Sequence, residues 1–184
     1  MSNAFPSLLV TPPPYEDESL AGYILRLAQR NYYPSPNWIL KLAGLKANSS
    51  IRLMCNRSEP SRLSQLIQIN DEHLRGMALF PHEVVSEEDS FDYTIYTYGR
   101  KLCPSCLKEA LYCRKIWDWK IVKACPLHQC LLLEKCLGCQ KSIRWSRPGV
   151  TRCRCGFDFR DALASPANLS QANLSVYLYG LSLS

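Results

Sequence analysis

Apolar residues that recur every three or four positions before residue 90, and eight Cys and His residues in close pairs after residue 100, predict a mostly α fold with small zinc-stapled β elements. The expected order is an N-terminal helix-turn-helix-like helical domain (residues 1–90), a tandem zinc-finger domain (91–164) and a C-terminal tail or helix (165–184). Charge divides the chain in the same way. Residues 1–99 hold 8 Lys and Arg against 11 Asp and Glu, whereas residues 100–160 hold 14 against 4, with the change in the acidic stretch Glu83 to Asp92.

The composition is that of a globular protein: 184 residues, 47% hydrophobic and 21% charged. No apolar run approaches the ~18 to 20 residues that cross a bilayer, and the opening MSNAFPSLLV lacks the basic stretch and apolar core of an export signal. A soluble, cytoplasmic protein without membrane contact is expected.

The first helix follows a proline-rich lead-in and spans Glu18 to Asn31, with Leu20, Tyr23, Ile24, Leu27 and Ala28 on one face. At Ser35-Pro36 the serine can cap a second helix, because its oxygen accepts from the free first-turn amides while the proline has no N–H to leave unpaired. That helix is expected to bury Trp38 and Leu42 and to stop near Gly44. Ser58-Glu59-Pro60 signals a third helix through Leu63, Leu66 and Ile67, and Asn70 a fourth through Leu74, Met77 and Ala78. Such short helices form a helix-turn-helix or a plain bundle, and periodicity does not separate the two. Phe91 to Tyr98, rich in aromatic and β-branched residues, reads as a strand.

Nine of the ten cysteines lie between Cys103 and Cys155. With no export signal to place the chain in an oxidising compartment, metal is favoured over disulfides. A Cys-x-x-Cys turn brings two sulfurs to one tetrahedral zinc, and two turns complete the shell. Grouped by sequence, one structural Zn²⁺ takes Cys103, Cys106, Cys125 and His128, and a second takes Cys136, Cys139, Cys153 and Cys155. A cross-braced pairing has the same spacing. Cys55, Cys113 and Cys130 are left over as small apolar side chains, although Cys130 is close enough to His128 to substitute for it. His73 and His82 have no ligand partner nearby and are expected at the surface or as caps.

Both metal sets are complete with four protein donors, whereas a catalytic zinc keeps a position for water. The His-x-Glu and Pro-Cys-x-x-Cys elements of a base deaminase, a phosphate-binding loop and a nucleophile elbow are all missing from the sequence. No enzyme is expected. Zinc instead supplies folding free energy to a segment too short for a large core. Around it lie Arg114, Lys115, Lys120, Lys123, Arg144, Arg147, Arg152 and Arg154, together with Lys135 and Lys141 and interleaved with Trp117, Trp119 and Trp145. Their charge exceeds what the thiolates need, which suits contact with the phosphates of DNA or folded RNA.

Two stretches carry a family resemblance. Pro14-Tyr15-Glu16-Asp17-Glu18-Ser19-Leu20-Ala21-Gly22-Tyr23 resembles the opening motif of the TniQ family of transposon target-selection proteins. The order Leu102-Cys103-Pro104-Ser105-Cys106, Arg114-Lys115-Ile116-Trp117, Cys125-Pro126-Leu127-His128, Cys136-Leu137-Gly138-Cys139 and Cys153-Arg154-Cys155-Gly156-Phe157 is similar to the family's zinc-binding half. The resemblance runs from about Val10 to Ala164. It implies an adaptor between a target DNA site and an AAA+ ATPase regulator of the TnsC or TniB type, which recruits the transposase. The length is closest to the short members in CRISPR-associated transposons, where a CRISPR effector complex with its guide RNA chooses the target. The alternative is an autonomous, sequence-specific DNA-binding selector or regulator, which predicts sequence-preferring binding to bare duplex.

Overall fold

The computed structural model describes residues 7–45, 60–77 and 100–183. Cys55, His82 and the expected strand at 91–98 lie outside these residues. Four helices come first, α1 (Leu20–Arg30), α2 (Asn37–Leu42), α3 (Pro60–Ile67) and α4 (Asp71–Met77); α5 (Pro104–Glu109) and α6 (Leu169–Leu183) follow. Two short 3₁₀ turns, Lys115–Asp118 and Phe159–Asp161, separate the last two helices. Among the described residues β structure is confined to isolated antiparallel bridges, including Leu102 with Leu133, Ala124 with Leu131 and Lys135 with Ser142.

The N-terminal core forms where the first four helices converge. Leu20, Tyr23, Ile24 and Leu27 of α1 pack with Ile39 and Leu40 of α2, Leu63, Leu66 and Ile67 of α3, and Leu74 and Met77 of α4. The local signals act at the ends of these helices. Ser19 Oγ accepts from Gly22 N at 3.0 Å, Ser35 Oγ from Asn37 N at 3.3 Å and Asn70 Oδ1 from His73 N at 2.8 Å. Gly44 ends α2 at φ +72°, in the left-handed region where glycine meets no Cβ penalty. The burial expected in α2 is corrected. Trp38 is 44% exposed, stacked on Tyr33 with Lys41 over its ring, and Leu42 is only half-buried, because the helix turns Ile39 and Leu40 inward.

The second core gathers Leu102, Leu107, Ile116, Trp117, Val122, Ile143, Val150 and Phe159 among the cysteines, and it takes one residue from α1, Leu25. Helix α1 therefore has a second working face along Gly22, Leu25 and Gln29. A Cβ on Gly22 would stand 2.6 Å from Cys113 Cβ, and Gln29 Oε1 accepts from Val150 N at 2.9 Å. Every residue from Leu20 to Ala28 is buried.

The segment before α1 clasps the two parts together. Asp17 accepts from Tyr112 Oη at 2.7 Å, Tyr179 Oη at 2.8 Å and Arg114 Nη1 at 2.5 Å, while its carbonyl receives Lys115 N at 2.7 Å. Burial pushes the Asp17 carboxyl up, but these three donors together outweigh it and hold the group below the usual carboxylate value. Glu18 takes both Arg26 Nε and Nη2, at 2.8 and 2.6 Å, and Tyr15 stacks on Tyr112 with ring centres 4.2 Å apart. Through Tyr179 the clasp also holds α6, which starts with a reciprocal cap between Asn168 and Gln171. Among the described residues no helix is long and apolar enough to cross a membrane.

Candidate metal centres

In the first Cys-x-x-Cys and Cys-x-x-His pair, Pro104 starts α5 directly after Cys103, so Cys106 lies in the first turn and its amide donates to Cys103 Sγ at 3.4 Å. The turn at Cys125 closes with Gln129 N donating to Cys125 O at 2.9 Å, and Gln129 takes φ 48°. The pair at Cys136 repeats this device: Gln140 N reaches Cys136 O at 2.8 Å and Gln140 takes φ 60°. Local turn geometry, set by a few residues at each knuckle, thus points the donors inward.

The donors fall into two sets, Cys103, Cys106, Cys125 and His128, and Cys136, Cys139, Cys153 and Cys155; within each, one atom per residue lies within 4.8 Å of every other. This is the sequential grouping rather than the cross-braced one. Their spacing tests the fit. With Zn–S near 2.3 Å and Zn–N near 2.0 Å, a tetrahedron has edges of about 3.8 Å between sulfurs and about 3.5 Å from sulfur to nitrogen. In the first set Cys106 Sγ and Cys125 Sγ are 3.5 Å apart, and His128 Nδ1 is 3.3 to 3.7 Å from the three sulfurs. The second set shows 3.6 Å between Cys136 and Cys155 and 3.9 Å between Cys139 and Cys153. Both sets can hold a metal ion with four protein donors, and a shell so filled has no vacant position for a reacting water.

Glu109, absent from the residues singled out by sequence, completes the first site. His128 Nε2 donates to its carboxylate at 2.8 Å, which leaves the Nδ1 lone pair for the metal and fixes the ring. Its sequence signal was its place on α5, three residues after Cys106 and so on the same face. Cys130 lies beside the site as a fifth sulfur, 3.5 Å from Cys103 Sγ. Cys113 is no part of either site; it takes a hydrogen bond from Arg147 Nη2 at 3.2 Å, and burial pushes its thiol up.

The basic residues divide between fold and surface. Arg114 is ion-paired with Asp17, and Arg147 is only 3% exposed, donating to Val150 O and Arg144 O. Lys115 is half-buried and reaches Gly76 O at 3.1 Å. The cationic ends of these three are engaged within the fold. Lys120, Arg144 and Arg152 face solvent, as do Lys123, 3.3 Å from Glu134, and Arg154, which donates to Ser146 O at 2.9 Å.

A family model described as TniQ matches residues 9–132, which contain the first metal set and all of the clasp except Tyr179. The chain belongs to the TniQ family. No curated protein matches it. TniQ proteins are non-catalytic accessories of DNA transposition with a target-selection or adaptor role, acting with the transposition machinery and target DNA. In this TniQ chain the opening motif is thereby explained physically: Ser19 caps α1, Glu18 pairs with Arg26 of the same helix, and Asp17 pairs with Arg114 of the cysteine-rich part.

Proposed function

We propose that this chain is a non-enzymatic adaptor in RNA-guided DNA transposition. It links a target-bound CRISPR effector complex with its guide RNA to an AAA+ regulator of the TnsC or TniB type, and so recruits the transposase. The observation that carries the reading is that, among the described residues, two metal sets of four protein donors each are joined through α1 to a helical core within a TniQ chain. The metal in both is Zn²⁺, held by Cys103, Cys106, Cys125 and His128 and by Cys136, Cys139, Cys153 and Cys155. It supplies folding free energy to the loops it ties together, and no step is routed through it.

Phosphate contacts fall to the exposed cations Lys120, Lys123, Arg144, Arg152 and Arg154. The place of action is the bacterial cytoplasm, at the nucleoid. Binding two partners at once raises the local concentration of one at the other, and that effect needs no chemistry. The test is RNA-guided insertion reconstituted from effector, regulator, transposase and donor DNA, with and without this chain. Insertion is expected only with it; undiminished insertion in its absence refutes the adaptor role. Sequence-preferring binding of the chain alone to bare duplex would favour an autonomous selector instead.

A further inference from the structure

Between α1 and the cysteine-rich core lies a cavity of about 10 Å³, room for one water-sized particle or small ion. Gly22 and Leu25 line one side of it; Arg100, Trp117, Asp118 and Arg147 line the other. Its electrostatics are unbalanced. Arg147 has no carboxylate within ion-pair distance among the described residues, although it is almost wholly buried, and Arg100 shares the Asp118 carboxylate through Nη1 alone. Arg114, also in the wall, is already neutralised by Asp17. Burying a guanidinium without a counter-charge is costly, and it cannot shed its proton to relieve the cost.

The open hydrogen-bonding positions have one sign. Among the described residues, Arg100 Nη2 and Trp117 Nε1 are buried donors without a partner, and both residues belong to the cavity wall. A water there could accept from both and donate to the Asp118 carboxylate, but only an anion accepts from both and also supplies the missing charge. We propose that the cavity is a binding site for one small monovalent anion of chloride size, held by Arg100 Nη2 and Trp117 Nε1 in the field of Arg147. Such an ion acts as a structural counter-charge where α1 meets the metal-bearing part.

The test uses the full, metal-loaded chain. Crystals soaked in bromide are expected to show an anomalous peak in the cavity within hydrogen-bond reach of Arg100 Nη2 and Trp117 Nε1. In solution, thermal unfolding in potassium chloride is compared with potassium gluconate at equal ionic strength, which equalises screening. At chloride tenfold above half-saturation Tm rises by about 3–6 °C. Trp117→Phe, which removes one donor, is expected to lose most of that increment. A cavity without a bromide peak, the same Tm in both salts, or a full increment in a folded Trp117→Phe variant each overturns the proposal. Should that variant fail to fold, the bromide and salt measurements on the unaltered chain decide alone.

Discussion

Replacing Asp17 by Asn removes one negative charge and almost no volume, so it isolates what the carboxylate does. In the parent, that group accepts from Tyr112 and Tyr179 and pairs with Arg114, and both members of the pair are nearly inaccessible to water. An amide retains one acceptor oxygen, turns the other position into a donor that faces donors, and leaves the Arg114 guanidinium without a counter-charge. Breaking a buried pair from one side costs about 3–5 kcal/mol, a large share of the roughly 5–15 kcal/mol that holds a domain folded. For a chain of this size each kcal/mol moves Tm by about 2–4 °C, which gives a drop on the order of 10 °C. Circular dichroism of the metal-loaded protein measures it. The pH dependence adds a second check. Because the folded Asp17 carboxyl titrates below its ordinary value, its stabilisation is complete above the unfolded value and fades only as pH falls through the folded one. The difference between parent and Asp17→Asn is therefore constant from about pH 6 to 8. A loss below about 1 kcal/mol, the worth of an ordinary hydrogen bond, would refute the clasp as a stabilising centre.

Gly22→Ala brings about 1 kcal/mol of helix propensity, yet its Cβ would meet Cys113 Cβ at 2.6 Å, and such overpacking costs about 1–3 kcal/mol. Urea denaturation is expected to show a less stable variant, and a more stable one would contradict the tight approach of α1. Elemental analysis is expected to return two zinc atoms per chain, one after Cys106→Ala and still two after Cys130→Ala; loss of metal in the Cys130 variant would make the fifth sulfur a ligand. Chelation is expected to abolish the folded signal of the cysteine-rich part, because structural zinc contributes about 10–16 kcal/mol of folding free energy. Arg144→Ala, Arg152→Ala and Arg154→Ala are expected to weaken nucleic-acid binding and lower its salt slope by about 0.9 for each duplex phosphate that is no longer neutralised. Fluorescence anisotropy across a salt series reads this, and an unchanged slope removes these residues from the interface.

What the sequence disclosed was local. The Ser35-Pro36 start, the stop at Gly44, the Asn70 cap and the short knuckles that carry the metal donors all act within a few residues along the chain, where capping and turn geometry can be read directly. What stayed hidden depends on distant partners. Asp17 and Arg114 are separated by 97 positions, and a basic residue looks the same in a string of letters whether it faces phosphate or a buried carboxylate. Helix α1 shows the same limit. Its strongest apolar stripe was evident, but Gly22, Leu25 and Gln29 carry too little hydrophobicity to mark a second face, and Arg26 reads as solvent-facing although Glu18 draws it inside. Trp38 failed in the opposite sense. Its size suggests a core anchor, while its register on α2 turns it outward.

Because α1 inserts Leu27 into one core and Leu25 into the other, no hinge can open between them without wetting a side chain worth roughly 1.5–3 kcal/mol in burial. Its eleven residues form a crossbar about 16 Å long, buried from Leu20 to Ala28. A molecule gripping the helical end and another gripping the metal end are consequently held at a set distance and angle, like parts on a bracket rather than weights on a string.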